Sequence, residues 1–167
     1  MEIRSINSFL DYYEKIRART NNVIAVVPPD LLEWRYHPGK YSIGDIIRHI
    51  ACIERFMYAE TIAGRRSSYH GCNASIASGY ENVLHLFNTL HNESVAIFRS
   101  LSDEDLTRKC ITPAGNTITI WKWLRALVEH EVHHRGQLYI YLGLLGIQTP
   151  PIFGLSAEQV ELASLPK

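Results

Sequence analysis

The chain has 167 residues, 46% of them hydrophobic and 20% charged, which suits one domain with a sizeable core and excludes a disordered or fibrous chain. Lysine plus arginine (17) equals aspartate plus glutamate (17), so the formal net charge is zero, and the basic excess that drives binding to nucleic acid is missing. No stretch approaches the ~20 uninterrupted apolar residues of a membrane span. A cytoplasmic protein without nucleic-acid or membrane partners is therefore expected. The opening Met1-Glu2-Ile3-Arg4-Ser5 lacks the apolar core of a signal peptide. Cys52, Cys72 and Cys110 are odd in number without a close pair, as expected of reduced thiols.

Read in chain order, four long helical patterns emerge, with no internal repeat and no low-complexity linker. The first is predicted from about Ser5 to Val27, with Ile6, Phe9, Leu10, Tyr13, Ile16, Val23, Ile24 and Val27 at spacings of three and four. Pro28-Pro29 stops it. The second opens at Ser42, a good N-cap with Asp45 three residues on, and carries Ile43, Ile46, Ile47, Ile50, Ile53, Phe56 and Met57 before fading near Gly64. Residues 64–79, rich in Gly, Ser and Asn, read as a connection.

The third pattern runs from about Tyr80 to Leu101, and Ser102-Asp103-Glu104-Asp105 then reads as a turn. Alternation around Pro113-Ala114-Gly115-Asn116, between Cys110 and Ile120, is consistent with a small hairpin. The fourth pattern spans about Ile120 to Leu145, with Gly146 placed to end it and Pro150-Pro151 preventing resumption. A short helix from Ser156 to about Ala163 closes the chain. Four long helices and almost no strand predict an all-α fold over residues 1–167: a single four-helix-bundle domain with a short C-terminal helix.

The fourth helix carries His130-Glu131-Val132-His133-His134-Arg135-Gly136-Gln137. Histidines four apart lie one helical turn apart on one face, about 5–6 Å between Cβ atoms, within reach of one metal ion. His130 and His134 share that face with Leu127, Leu138 and Tyr141, so the pair points at or near the core, where unpartnered imidazoles cost about 1–3 kcal/mol each. Zinc with an open position takes three protein ligands, and His49, inside the second helix beside Ile46, Ile50 and Ile53, is the best third candidate.

His133 projects about 100° from His134 and suits a surface or interface. His37 and His70 fall in connections, and His85 and His91 lie on nearly opposite faces of the third helix; none is assigned a role. Cys52, one turn past His49, reads as a buried spectator thiol. Glu131 and Gln137 are the polar neighbours that could orient a ligand or bind substrate; for Glu131 a helix-surface role is equally compatible with the sequence.

The run around His49 (Ser42-Ile43-Gly44-Asp45-Ile46-Ile47-Arg48-His49-Ile50), the His130-to-Gln137 segment and the tail Pro150-Pro151-Ile152-Phe153-Gly154-Leu155-Ser156 together resemble the DinB/YfiT-like superfamily over essentially the whole chain. This is the Gram-positive damage-inducible type, unrelated to the DNA polymerase of the same name. The resemblance implies up-down-down-up connectivity, a homodimer, and a divalent metal held by His49, His130 and His134. Its members include thiol S-transferases using bacillithiol or mycothiol, a maleylpyruvate isomerase, and proteins known only as metal-dependent hydrolases. Fold and metal carry over better than reaction.

The same letters satisfy the H-E-x-x-H pattern of zinc proteases, with Glu131 as base and Glu158 as the one well-spaced further ligand. A small all-helical chain offers no sheet edge to hold an extended peptide, which counts against that reading. The expectation is a metal-dependent enzyme acting on a small molecule, either as a hydrolase or as a transferase of a low-molecular-weight thiol. Zinc is the default ion, and nickel or iron also suit imidazole ligands. A non-catalytic metal-binding stress-response protein is the alternative; a structural zinc would normally be closed by four protein ligands. A homodimer is expected on a second ground, because Tyr139, Ile140 and Tyr141 make the fourth helix apolar nearly all round.

Overall fold

The structure, a computed structural model, describes residues 2–165. Helix α1 (Ile6–Ile24) starts where the Ser5 hydroxyl accepts the Ser8 amide at 3.4 Å. It ends three residues before the predicted Val27. Val27 precedes Pro28, and the residue before a proline is pushed out of the helical region. The capping box predicted at Ser42 is present: the Ser42 hydroxyl accepts the Asp45 amide at 2.9 Å and Asp45 accepts the Ser42 amide at 3.0 Å.

That box opens α2, which comprises α-helical Ile43–Ile53, a π-helical stretch Glu54–Ala59 and a last turn Glu60–Ile62. The sequence pattern carries no sign of the π stretch, since a local widening by one residue leaves too weak a trace in a 3.6-residue pattern. Helix α3 (Tyr80–Arg99) is followed by a hairpin of β1 (Lys109–Ile111) and β2 (Thr117–Thr119), paired antiparallel with Cys110 opposite Ile118. Gly115, at φ +81°, supplies the left-handed residue of its turn. Helix α4 (Ile120–Leu144) and the short α5 (Ala157–Ala163) complete the chain, and α5 buries none of its side chains. Among the described residues, no helix is long and apolar enough to cross a membrane.

Hydrogen bonds fix the topology. The connection after α2 runs back along that helix: the Ser68 amide donates to the Phe56 carbonyl at 2.8 Å, and Arg48 donates to the carbonyls of Cys72 and Ala77, both at 3.0 Å. Helix α3 therefore starts at the end where α2 started, and the two run parallel. The Tyr80 hydroxyl reaches the Ile24 carbonyl at 3.2 Å while the Ile6 amide reaches Asp103 at 2.7 Å, so α1 and α3 are antiparallel. The early residues of α1 pack with Leu124, Leu127 and Val128, and its late residues with Leu138, Tyr141 and Leu142, so α4 runs parallel to α1. The result is an up-down-down-up four-helix bundle.

Those two apolar clusters are separated by a buried polar layer drawn from all four helices. Arg17 pairs with Glu54 and, at 3.1 Å, with Glu131. The His91 Nδ1 atom lies 2.9 Å from the other Glu54 oxygen, and the Tyr13 hydroxyl accepts from Arg17 at 3.2 Å. Burial, then the Glu54 and Glu131 charges, hold the Tyr13 phenol well above its ordinary pKa, so it stays a neutral partner. Stacked isoleucines and phenylalanines above and below leave these charges no solvent and make each depend on the others.

Candidate metal centre

Three histidines from two antiparallel helices meet beside this layer. His49 comes from α2, and His130 and His134 from successive turns of α4; one ring nitrogen from each lies within 4.8 Å of the other two. The ring centroids are 4.4 Å apart for His130 and His134, 4.6 Å for His49 and His134, and 5.1 Å for His49 and His130. The Nε2 atoms of His49 and His130 face each other at 3.2 Å. Two ligands at zinc distances around a tetrahedral ion stand about 3.3 Å apart, so this spacing fits a shared cation.

Neighbouring side chains decide which nitrogens face inward. The Gln137 carbonyl oxygen accepts from His134 Nδ1 at 2.8 Å, leaving the Nε2 lone pair free. His49 Nδ1 lies 3.0 Å from the Tyr69 hydroxyl and can donate to it in the same sense. His130 Nδ1 is buried without a hydrogen-bond partner among the described residues, so Nε2, which faces His49, is the one nitrogen of this ring that meets another polar group. Burial above all, then the neighbouring histidines, push His49 down to about 4 and His130 to about 3. Burial also lowers His134. Neutral imidazoles with converging lone pairs are the form that binds a metal.

Residues that the sequence did not single out hold this arrangement. Arg48, fully buried, makes two bonds to the Glu33 carboxylate at 2.8 and 3.0 Å and one to Asp45 at 2.7 Å. Together with its bonds to Cys72 and Ala77, these pin the connection that carries Tyr69 against α2. A Cβ at Gly44 would come within 2.8 Å of the Glu33 carboxylate and 3.1 Å of the Arg48 guanidinium, which explains a glycine in the first turn of α2. Tyr41 packs its ring 5.4 Å from that of His49. Nothing in the local pattern around Tyr41 or Tyr69 marks them, because both sit in connections and reach the site through tertiary contacts alone.

The other candidates fall as follows. Glu131 lies neither in the cluster nor on the helix surface: it is 0% exposed and turned toward α1, where it takes the Thr20 hydroxyl and Arg17. One residue's displacement round the helix is enough to put it in the polar layer. Gln137 does reach the site. His133 is exposed and accepts from the Gln137 amide at 3.2 Å. Cys52 is buried outside the cluster, and Glu158 is exposed on α5. His91, given no role from sequence, belongs to the polar layer, while His37, His70 and His85 are exposed.

Comparison with known proteins bears on the whole chain. The uncharacterized protein YjoA of Bacillus subtilis (strain 168) is 26% identical over 152 residues, covering 88% of this chain and 95% of YjoA. The crystal structure of YjoA, a DinB-like protein, superimposes with a TM-score of 0.71 at 23% identity, over 87% of this chain and 96% of that one. YfiT from Bacillus subtilis, described as a probable metal-dependent hydrolase with an unusual four-helix bundle topology, gives 0.67 at 19% identity over 86% of this chain and 89% of YfiT. The mycothiol-dependent maleylpyruvate isomerase gives 0.53 at 20% identity, over 80% of this chain and 60% of the isomerase. The sequence pattern of the DinB superfamily matches residues 12–138, three-quarters of the chain and every helix that builds the histidine cluster. The chain belongs to the DinB superfamily.

Proposed function

We propose that this protein is a metal-dependent enzyme in which His49, His130 and His134 hold one divalent ion, zinc in the first instance, and that it transfers a low-molecular-weight thiol to a small electrophile. The convergence of three neutral imidazoles carries the metal reading. An ion held by three imidazoles with a position left open supplies Lewis acidity to whatever water or thiol enters that position. Gln137 and Tyr69 keep the His134 and His49 rings in one tautomer and one orientation. The buried walls around His130 exclude water from the inner side.

The placement of Glu131 favours thiol transfer over hydrolysis. In a protease of the H-E-x-x-H type the glutamate must face the metal to take a proton from water. Here that carboxylate is spent on Thr20 and Arg17. A thiol is far more acidic than water and needs no such base once a cation lowers its pKa further. The likeness of fold to a mycothiol-dependent enzyme points the same way, and the likeness to YfiT keeps hydrolysis as the second reading. A homodimer is part of the proposal, supported by Phe153, Leu155 and Leu162, apolar side chains left exposed in the C-terminal segment. The deciding experiment is a conjugation screen of the zinc-loaded protein with several low-molecular-weight thiols and small electrophiles, run beside ester and amide substrates. Thiol consumption that needs the metal supports the reading; metal-dependent ester or amide turnover with no thiol consumed moves the assignment to hydrolase.

A further inference from the structure

Beside the histidines the surface opens into a cleft of about 570 Å³, within the range of small-molecule sites. Two residues join it to the cluster: Tyr41, whose ring lies against His49, and Gln137, whose carbonyl holds His134. Tyr141 forms one wall and is fixed there, edge-on to Trp34 and to Tyr36 at 5.6 Å each, with its hydroxyl donating to the Tyr41 carbonyl at 3.2 Å. Ile140 and Leu144, on the outer face of α4, turn aliphatic side chains into the opening while 63% and 64% exposed. One charged residue, Lys40, lines the cleft, and no carboxylate does among the described residues.

We infer that this cleft is the substrate site of the metal centre, and that it takes a flat, largely apolar molecule carrying one carboxylate, which Lys40 reads. The inference rests on the proposed metal function for its reactive end, but the cleft's own selectivity is independent of the ion. The phenol rings of Tyr36 and Tyr141, set edge-to-face, and that of Tyr41 beside His49 present walls for a planar body. Rigid aromatic and aliphatic surface at this density favours an apolar ligand, and a lone cation at the rim with no acid beside it favours a single negative charge. The line from Lys40 through Tyr41 to His49 then gives the ligand a direction, acid at the rim and reactive part toward the histidines.

The probes are 2-naphthoate and its neutral isostere 2-naphthamide, titrated into the zinc-loaded and the metal-free protein. We expect 2-naphthoate to bind more tightly than the amide in both forms. Lys40→Gln should weaken the acid by roughly fivefold, the scale of an ion pair at a half-exposed rim, and leave the amide unchanged. Leu144→Glu should weaken both probes without changing zinc content. If Lys40→Gln leaves the acid-to-amide ratio where it was, the assignment of Lys40 fails. If the preference for the acid vanishes on removing zinc, the carboxylate sits on the metal and the proposed direction is wrong. If Leu144→Glu splits a dimer and leaves both affinities untouched, the cleft belongs to a second copy of the chain. A chain that binds no zinc yet keeps the Lys40-dependent preference would sink the metal reading alone.

Discussion

The Thr20 hydroxyl donates to Glu131 Oε1 at 2.6 Å, across 111 residues of sequence, and so ties the acid of the His-Glu-Val-His-His run to the opposite helix. Glu131 therefore contributes to stability. Its loss takes one partner each from Arg17 and the Thr20 hydroxyl, while Glu54 and the Ile16 carbonyl remain, so the cost is that of a buried charged hydrogen bond, about 1–3 kcal/mol. Glu131→Ala should lower the denaturant midpoint by a corresponding amount while zinc stoichiometry in the folded fraction is retained. A variant as stable as the parent but without turnover would instead make Glu131 a catalytic group.

Each ligand should be indispensable to the ion. His49→Ala, His130→Ala and His134→Ala are expected to bring zinc content, read by elemental analysis after dialysis, from about one per chain to near zero. His133→Ala should keep it, since that ring is exposed and turned to Gln137. Full stoichiometry and affinity in His49→Ala would break the triad.

Tyr69→Phe removes the partner of His49 Nδ1, together with that hydroxyl's contacts to Tyr41 and Cys72. Losses on the order of 10–100-fold in metal affinity follow when the partner of a ligating histidine is lost, and chelator competition would show them. The far-ultraviolet spectrum and melting temperature of the metal-free variant should match the parent. Unchanged affinity would show that the bond to Tyr69 does not orient His49.

Acid should destabilise the metal-free protein. His49 and His130 titrate at about 4 and about 3 in the fold, whereas in the unfolded chain histidines titrate near ~6.5. Between these values the unfolded state binds more protons, so stability is complete above the unfolded pKa and is lost as pH falls toward the folded values. The melting temperature should drop between pH 7 and 5, and less steeply in His130→Gln. Equal slopes in the two proteins would contradict this.

Much of this was legible in the sequence for physical reasons that differ by element. The helices announced themselves because each buries one stripe, and Ser42 with Asp45 declared the start of α2 because a capping box is a local device. His130 and His134 were legible as a pair because four residues is one turn. What escaped was non-local. Glu131 could not be placed without knowing that α1 lies beside that face of α4. Arg17, Glu54 and His91 form their layer only once four helices are assembled, and Tyr69 enters the site because the connection runs back along α2. Tyr139, part of the all-round apolar surface of α4, turns out half-buried with its hydroxyl on the Pro150 carbonyl at 2.6 Å, so the C-terminal segment covers it within the chain, while Ile140 stays exposed.

The parallel course of α2 and α3 also selects among ways of folding the same helices. Because of it α4 runs against α2, and Trp123 near the start of α4 donates to Thr61 near the end of α2 at 2.9 Å. Counting the helical rise from that shared end, His49 lies about 20 Å along α2, and His130 and His134 lie about 15 and 21 Å along α4. A simple up-down-up-down bundle could bury the same isoleucines and leucines. It would turn α4 round and, with the helix starts level, offset His49 from His130 by about 6 Å and from His134 by about 12 Å. The apolar stripes tolerate either arrangement, but only one of them brings the three imidazoles together, so an ion that binds this chain reports which bundle the chain has chosen and adds its binding energy to that one alone.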